Sequence, residues 1–289
     1  MTDYGFIGLG SMGSAMSSHL VNAGLTLYCY DSAGTAKLAP KGAIVKSSIE
    51  EVAKLSEVIF LSLPDGKVVL QVAQEIQDTK ESKTKIVVDL STTGPEFAML
   101  ISSLLSKSNI VFIDAPVSGG RSGAENASLA LMCSGPDKEI KDLRNLFSLI
   151  ASNVIQVGKD PGQAQAMKLL NNFLSATSMA ATSEAVLFGR SHNLDLDTML
   201  SVLNVSSGRN TATEDKFPNR ILTETYDAGF AASLMSKDVS LFREQVDKAE
   251  TPSRIIEVIS ALWKETNEFA PGGDFTEIYR YLKKTSKSQ

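Results

Sequence analysis

Uninterrupted apolar runs fill the first half of the chain and give way, after Gly158, to apolar positions spaced three and four apart. Short runs bounded by turn residues read as buried strands, and the wider spacing reads as helix. Strands are therefore expected at residues 4–7, 25–30, 58–63, 85–90 and 110–117. Helical patterns separate them: residues 14–23, stopped by Gly24, a short helix behind the capping box Ser48-Ile49-Glu50-Glu51, and further helices ending near Ile76 and Ser106. Such alternation predicts a parallel, doubly wound sheet whose ligands sit beyond the carboxyl ends of the strands. Runs at residues 128–133 and 154–157, with a helix over 136–150 between them, are expected to extend that sheet. From Pro161 onward every segment reads helical: a long helix over 161–192, then 196–205, 214–222, 231–249, 252–269 and 274–284, punctuated by Pro252, Pro271 and Gly272-Gly273.

A chain of 289 residues suits one large domain or two unequal ones. The change of period places the boundary at residues 160/161. With 28 basic against 33 acidic residues, net −5, there is no basic excess to hold phosphate backbones, and nucleic acid is not expected as a partner. Cys29 and Cys133 sit inside apolar runs and read as small buried hydrophobes of a reducing compartment. His19 and His192 lie far from them and from each other, so no metal site is expected. Met1 leads directly into a strand, and no stretch approaches the about 18 apolar residues of a membrane span. The expected location is cytoplasmic, with no membrane association.

The first strand runs into Gly8-Leu9-Gly10-Ser11-Met12-Gly13 and then into a helix. In that context the three glycines serve a tight turn, the close approach of a pyrophosphate, and the close packing of helix on strand. The helix N-terminus offers its unsatisfied N–H groups to the phosphates. The next strand ends at Asp31; 31 minus 8 is 23 residues from the first glycine, where a ribose-binding acid belongs. The alternative for Asp31 is a cap on the short helix after it. These residues point to a dinucleotide, with NAD as the expected cofactor and NADP as the alternative, since Ser32, Ala33 and Gly34 include no arginine for a 2′-phosphate.

The opening of the long helix carries a second signal. Asp160 is the expected N-cap and Pro161 the first helical residue. Gln165, Lys168, Asn172 and Ser175 recur at steps of three and four, which stacks them on one face of an otherwise largely apolar helix. That face is expected to line a polar cavity, where burial favours a neutral amine suited to proton transfer. A lysine reaching along the helix to solvent is the alternative.

By themselves these residues reach a dinucleotide-binding, two-domain protein. Four stretches together resemble the β-hydroxyacid dehydrogenase family, whose members include 3-hydroxyisobutyrate dehydrogenase and tartronate semialdehyde reductase. They are Gly8 to Gly13, Asp114-Ala115-Pro116-Val117-Ser118-Gly119-Gly120, Gly162 through Asn172 with Lys168, and Lys237-Asp238. The resemblance covers nearly the whole chain. It implies an α/β Rossmann-type doubly wound sheet followed by an all-α domain, linked by a long interdomain helix. Residues 1–160 would bind the dinucleotide, and residues 161–289 would contribute the catalytic lysine and the contacts of a homodimer or homotetramer.

The resemblance further implies Lys168 as catalytic acid/base, with Asn172 hydrogen-bonding the substrate. Ser118, Gly119 and Gly120 would hold the substrate carboxylate. Leu63, Pro64 and Thr92 would touch the cofactor beside Gly8, Leu9, Gly10, Met12, Gly13 and Asp31, and Lys237 would close over the nicotinamide. Ala164 departs from the family's pattern, which has glycine there. The implied activity is an NAD-dependent oxidoreductase interconverting a small β-hydroxy acid and its semialdehyde or keto acid. An imine reductase and a non-catalytic dinucleotide-binding protein are the rivals, and both belong with relatives that have lost the lysine. Without the resemblance, Lys237-Asp238 reads as a solvated pair and Ser118-Gly119-Gly120 as a simple turn. Arg121 either reaches a second polar group of the substrate or points to solvent.

Overall fold

In the computed structural model, which describes residues 2–286, the apolar runs of the first half form a single sheet. β1 (Tyr4–Ile7) is followed by α1 (Ser11–Asn22), β2 (Leu27–Tyr30), α2 (Thr35–Leu38), β3 (Ile44–Val45), α3 (Ile49–Leu55), β4 (Val58–Leu61), α4 (Gly66–Asp78), β5 (Ile86–Asp89), α5 (Pro95–Ser106) and β6 (Val111–Asp114). These strands pair in parallel in the order β3-β2-β1-β4-β5-β6, the doubly wound Rossmann arrangement. The run expected as one strand over 110–117 breaks at Ala115-Pro116, because proline has no N–H to give to a ladder. β7 (Val117–Ser118) therefore starts afresh. After it come α6 (Gly120–Glu125), β8 (Leu129–Ser134), α7 (Asp137–Phe147) and β9 (Ala151–Gly158). β8 runs antiparallel to β6 and β7 and parallel to β9, so the sheet is extended but not purely parallel.

Both faces of the sheet are buried, which is why its strands read as continuous apolar runs. Phe6, Leu20, Phe60 and Phe147 pack on one face, with the rings of Phe6 and Phe60 stacked at 5.9 Å. Ile7, Val52, Ile59 and Ile101 pack on the other.

The long helix α8 is Gln163–Ser191, two residues shorter at its start than expected. Gly162 has φ +93° and forms a turn with Pro161, so the helix cannot begin there. Nor does the Asp160 side chain supply the cap. The N–H groups of Gly162 and Gln165 donate to Asp114 Oδ2 at the end of β6 (3.2 and 3.1 Å), and that of Ala164 donates to Ser134 Oγ at the end of β8 (3.1 Å). The helix start is thus held by the sheet, and the first compact unit, Met1–Lys168, runs past residue 160 to include Lys168.

The second unit, Leu169–Gln289, contains the rest of α8 with α9 (Leu196–Leu203), α10 (Ala232–Lys248), α11 (Arg254–Phe269) and α12 (Ile278–Thr285). The helix expected over 214–222 is a π-helix, Ala212–Ile221, with Pro218 inside it. Proline removes one N–H from the ordinary helical ladder, and the wider winding accommodates that loss. Trp263 anchors this unit's core: it is fully buried, stacks on Phe275 at 6.0 Å and donates from Nε1 to Ala176 O (3.3 Å).

Candidate functional site

The turn after β1 shows three glycines in three different situations. Gly8 has φ +94°, and a Cβ built on it would overlap the Ser62 carbonyl at the end of β4. A Cβ on Gly13 would overlap the Gly8 carbonyl itself. Gly10, by contrast, would meet no protein atom within 4 Å. It is the N-cap of α1 and supplies no side-chain cap, so the first N–H groups of the helix face open space. A pyrophosphate fits this arrangement: the two outer glycines are required by the protein, and the middle one leaves a cradle that a side chain would fill.

Asp31 closes the same site from the end of β2. Its Oδ2 accepts from the N–H of Leu9 (2.6 Å) and its Oδ1 from that of Ala33 (2.7 Å). The cap of α2 is Gly34, without a side-chain bond, so Asp31 does not serve as that helix's cap. Each carboxylate oxygen retains acceptor capacity for a ribose hydroxyl. The side chain of Leu9 is buried in the core, so only its backbone faces the turn. Met12 packs against the same core and is half-buried.

The loops after β4 and β5 are tied together. Leu63 N donates to Ser91 Oγ (2.9 Å), leaving Leu63 and Thr92 half-buried and Pro64 exposed at the carboxyl ends of the strands. Gln165 on α8 binds the second of these loops. Its Oε1 accepts from the N–H groups of Thr93 (2.8 Å) and Gly94 (3.1 Å), and its Nε2 donates to Ser91 O (3.0 Å) and Asp114 Oδ1 (2.7 Å). Burial pushes the Asp114 carboxyl up to about 6, opposed by the bonds it accepts from Gln165, Gly162 and Ser134. Lys168 follows Gln165 by three residues and is 7 % exposed. Ser118, Gly119 and Gly120 end β7 and open α6, with φ +134° at Gly119 and +62° at Gly120. His19 on α1 hydrogen-bonds through Nε2 to the carbonyls of Ala124 (3.0 Å) and Glu125 (3.1 Å) at the far end of α6. Arg121 pairs with Glu125 (2.7 Å) on the exposed side of that helix.

In the second unit, Asn172 Nδ2 donates to Asp238 Oδ2 (2.6 Å), and Asp238 Oδ1 lies 3.2 Å from Lys237 Nζ. Asp238 is buried, so Lys237-Asp238 is not a solvated surface pair. The Asn172 amide is held through its NH₂, and Asn171 Nδ2 donates to its oxygen (3.2 Å). Lys168 and Asn172 stand one helical turn apart on α8.

Sequence reasoning had Gln165 only as part of a polar face and did not single out Asp114 or Asp238 as partners. An acid at the end of the apolar run 110–113 was the available signal. Burial raises the Cys29 thiol to about 12 and the Cys133 thiol to about 11, which leaves both as inert thiols. Among the described residues, no group of three or more His, Cys, Asp or Glu is placed to hold a metal ion, and no helix is long and apolar enough to cross a membrane.

A family model described as the NAD binding domain of 6-phosphogluconate dehydrogenase matches residues 3–158. A second, described as the NAD-binding of NADP-dependent 3-hydroxyisobutyrate dehydrogenase, matches residues 162–282. The chain is 32 % identical over 253 residues to 2-(hydroxymethyl)glutarate dehydrogenase of Eubacterium barkeri, covering 86 % of this chain and 83 % of that one. It is 31 % identical to the mitochondrial 3-hydroxyisobutyrate dehydrogenase of Drosophila melanogaster, covering 97 % and 89 %. The solved structure of Mycobacterium tuberculosis 3-hydroxyisobutyrate dehydrogenase with L-serine superposes with a TM-score of 0.89 at 26 % identity, covering 98 % and 99 %.

Proposed function

The chain belongs to the β-hydroxyacid dehydrogenase family, and from that premise we propose that it oxidises a small β-hydroxy acid reversibly to the semialdehyde or keto acid, with Lys168 as general acid/base. It is an NAD(P)-dependent dehydrogenase acting on the CH–OH group, with NAD as the cofactor and NADP as the alternative. The observation that carries the proposal is Lys168, a lysine 7 % exposed on a helix whose first turn is fastened to the sheet by Asp114 and Gln165. The cost of that burial is consistent with use in proton transfer.

Gly8, Gly10 and Gly13 with the start of α1 would take the pyrophosphate, and Asp31 the adenosine ribose. Leu63, Pro64 and Thr92 would border the nicotinamide end, and Lys237 would close over it. The bound nicotinamide supplies hydride transfer to or from the substrate carbon. The neutral amine of Lys168 takes the hydroxyl proton in oxidation, and its ammonium form returns it in reduction. Asn172, its amide oriented by Asp238, holds the reacting oxygen, and the backbone of Ser118, Gly119 and Gly120 binds the carboxylate. Oxidation releases a proton and needs the neutral amine, so it rises with pH.

Residues 1–160 are assigned to the dinucleotide, and residues 161–289 to the catalytic lysine and the subunit contacts. Leu174, Phe188, Val205, Ile255 and Val258 stand exposed in the second unit, and a second copy of this chain in a dimer or tetramer would cover them. Light scattering at micromolar concentration tests this, and a monomer contradicts it. A location in the cytoplasm goes with the two reduced, buried cysteines.

The test of function is a spectrophotometric screen of small hydroxy acids, semialdehydes and cyclic imines with NAD and NADP. Turnover of β-hydroxy acids with NAD, and none of imines, is the expected result. NAD should be preferred, because Asp31 would face a 2′-phosphate with like charge. Imine reduction, or no turnover of any hydroxy acid, would overturn the assignment.

A further inference from the structure

Gln165 does more than occupy the polar face of α8. Its side chain is fully buried, and its amide uses all of its hydrogen-bonding capacity: two acceptor sites on the N–H groups of Thr93 and Gly94, two donors on Ser91 O and Asp114 Oδ1. These partners lie 51 to 74 residues away in sequence and belong to two different segments, the loop after β5 and the end of β6. Thr92 sits between the bonded residues Ser91 and Thr93, and Lys168 sits one turn along the helix. Gly162 reinforces the same junction, since a Cβ there would lie 3.0 Å from Pro95 O and 3.1 Å from Pro95 Cα.

From this geometry we infer that Gln165 is a positioning residue which fixes the register between the Ser91–Pro95 loop and the start of α8, and so the height of the Lys168 amine relative to Thr92. The inference rests on the reading of Lys168 as acid/base. With all four bonds of its amide made to protein groups, Gln165 has none left for substrate or cofactor. Its effect is transmitted through the backbone of one loop and one helical turn. A displacement of about 1 Å between reacting groups can cost about a hundredfold in rate.

The Gln165 amide satisfies two donors and two acceptors of the junction at once. In Gln165→Met the volume is kept and all four bonds are lost. In Gln165→Glu the shape is kept, but a carboxylate faces two acceptors, Asp114 Oδ1 at 2.7 Å and Ser91 O at 3.0 Å. Asp114 contacts the new acid directly, Asp89 is its neighbour across the β5–β6 pair, and Lys168 stands on the same helix. Lowering the pH protonates the acid pair and restores one donor, so activity relative to the wild-type enzyme should rise.

Both variants are to be purified and checked for folding by circular dichroism. They are then assayed with the best hydroxy acid from the screen and NAD, beside Lys168→Ala. Gln165→Met is expected to lose about a hundredfold in kcat, with KM and the Kd for NADH changed by less than about threefold. Gln165→Glu is expected to regain activity relative to wild type between pH 8 and pH 6, while Gln165→Met keeps a constant ratio. A folded Gln165→Met with kcat within about threefold of wild type, a parallel loss of kcat and binding, or a pH-independent Gln165→Glu ratio would overturn the inference. So would failure of both variants to fold, which would make the junction a folding element only. If Lys168→Ala stays active, the reading of Lys168 fails and this one with it. If Lys168→Ala is dead and the Gln165 variants match wild type, only the positioning role fails.

Discussion

Replacing Gly10 by Ala should separate cofactor binding from folding, and replacing Gly13 by Ala should not. At Gly10 the backbone has φ −61° and ψ −170°, open to any residue, and the added methyl meets no protein atom within 4 Å. Alanine there removes unfolded-chain entropy, a gain of about 0.4–1 kcal/mol, and gives up a glycine N-cap preference of similar size. Stability should change by less than about 0.5 kcal/mol. The methyl fills the cradle in front of the α1 N-terminus, so the Kd for NADH should weaken at least about tenfold, equivalent to about 1.4 kcal/mol. At Gly13 the methyl overlaps the Gly8 carbonyl and comes within 3.2 Å of Phe6 Cε1, while Gly8 is itself pressed against Ser62. The turn has nowhere to move, and an overpacking cost of about 1–3 kcal/mol is expected. Urea denaturation and NADH fluorescence titration on both variants make the comparison. Wild-type NADH affinity in Gly10→Ala would refute the placement of the pyrophosphate, and a large loss of stability in that variant would refute the claim of open space.

Other expectations follow from the buried groups. The folded state raises the Asp114 carboxyl from 3.8 to about 6, so it holds that proton more tightly than the unfolded chain does. The associated stability is present below about pH 4 and lost as pH rises through about 6, by up to about 3 kcal/mol. The difference in unfolding free energy between wild type and Asp114→Asn should therefore fall across that window, and identical slopes in the two proteins would count against it. Trp263→Ala should cost about 3–5 kcal/mol, because a fully buried, stacked indole is removed from the core. Denaturation followed by circular dichroism measures this, and a loss under about 1 kcal/mol would mean that the helical core closes over the gap.

What was legible in the sequence was what local pattern controls. Apolar runs alternating with helices led to β1, β2, β4, β5 and β6 in a parallel sheet, because a sheet buried on both faces leaves an unbroken apolar signature, whereas β3, two exposed residues at the sheet edge, was not expected. Gly8, Gly10 and Gly13 could be assigned separate roles because each role is set by backbone sterics. The start of α8 was misplaced for the opposite reason. Asp160 and Pro161 look like a local cap, but the capping groups are Asp114 and Ser134, distant in sequence and recruited by the fold. The same holds for the partners of Gln165 and Asn172: periodicity set both residues on one helix face but leaves no trace of Asp114 or Asp238, which they bind. Pro116 and Pro218 were visible, yet what the chain does at a proline, a strand break in one place and a π-helix in the other, depends on the packing around it.

The claim on which the rest depends is that Lys168 moves the proton while the glycine turn holds the cofactor. Lys168→Ala tests it in one preparation: steady-state turnover of the best hydroxy acid with NAD, and the Kd for NADH by fluorescence. General acid–base catalysis is worth about two to four orders of magnitude, so kcat should fall by at least about a hundredfold with the NADH Kd within about threefold of wild type. A variant that keeps more than about a tenth of wild-type kcat would contradict the account.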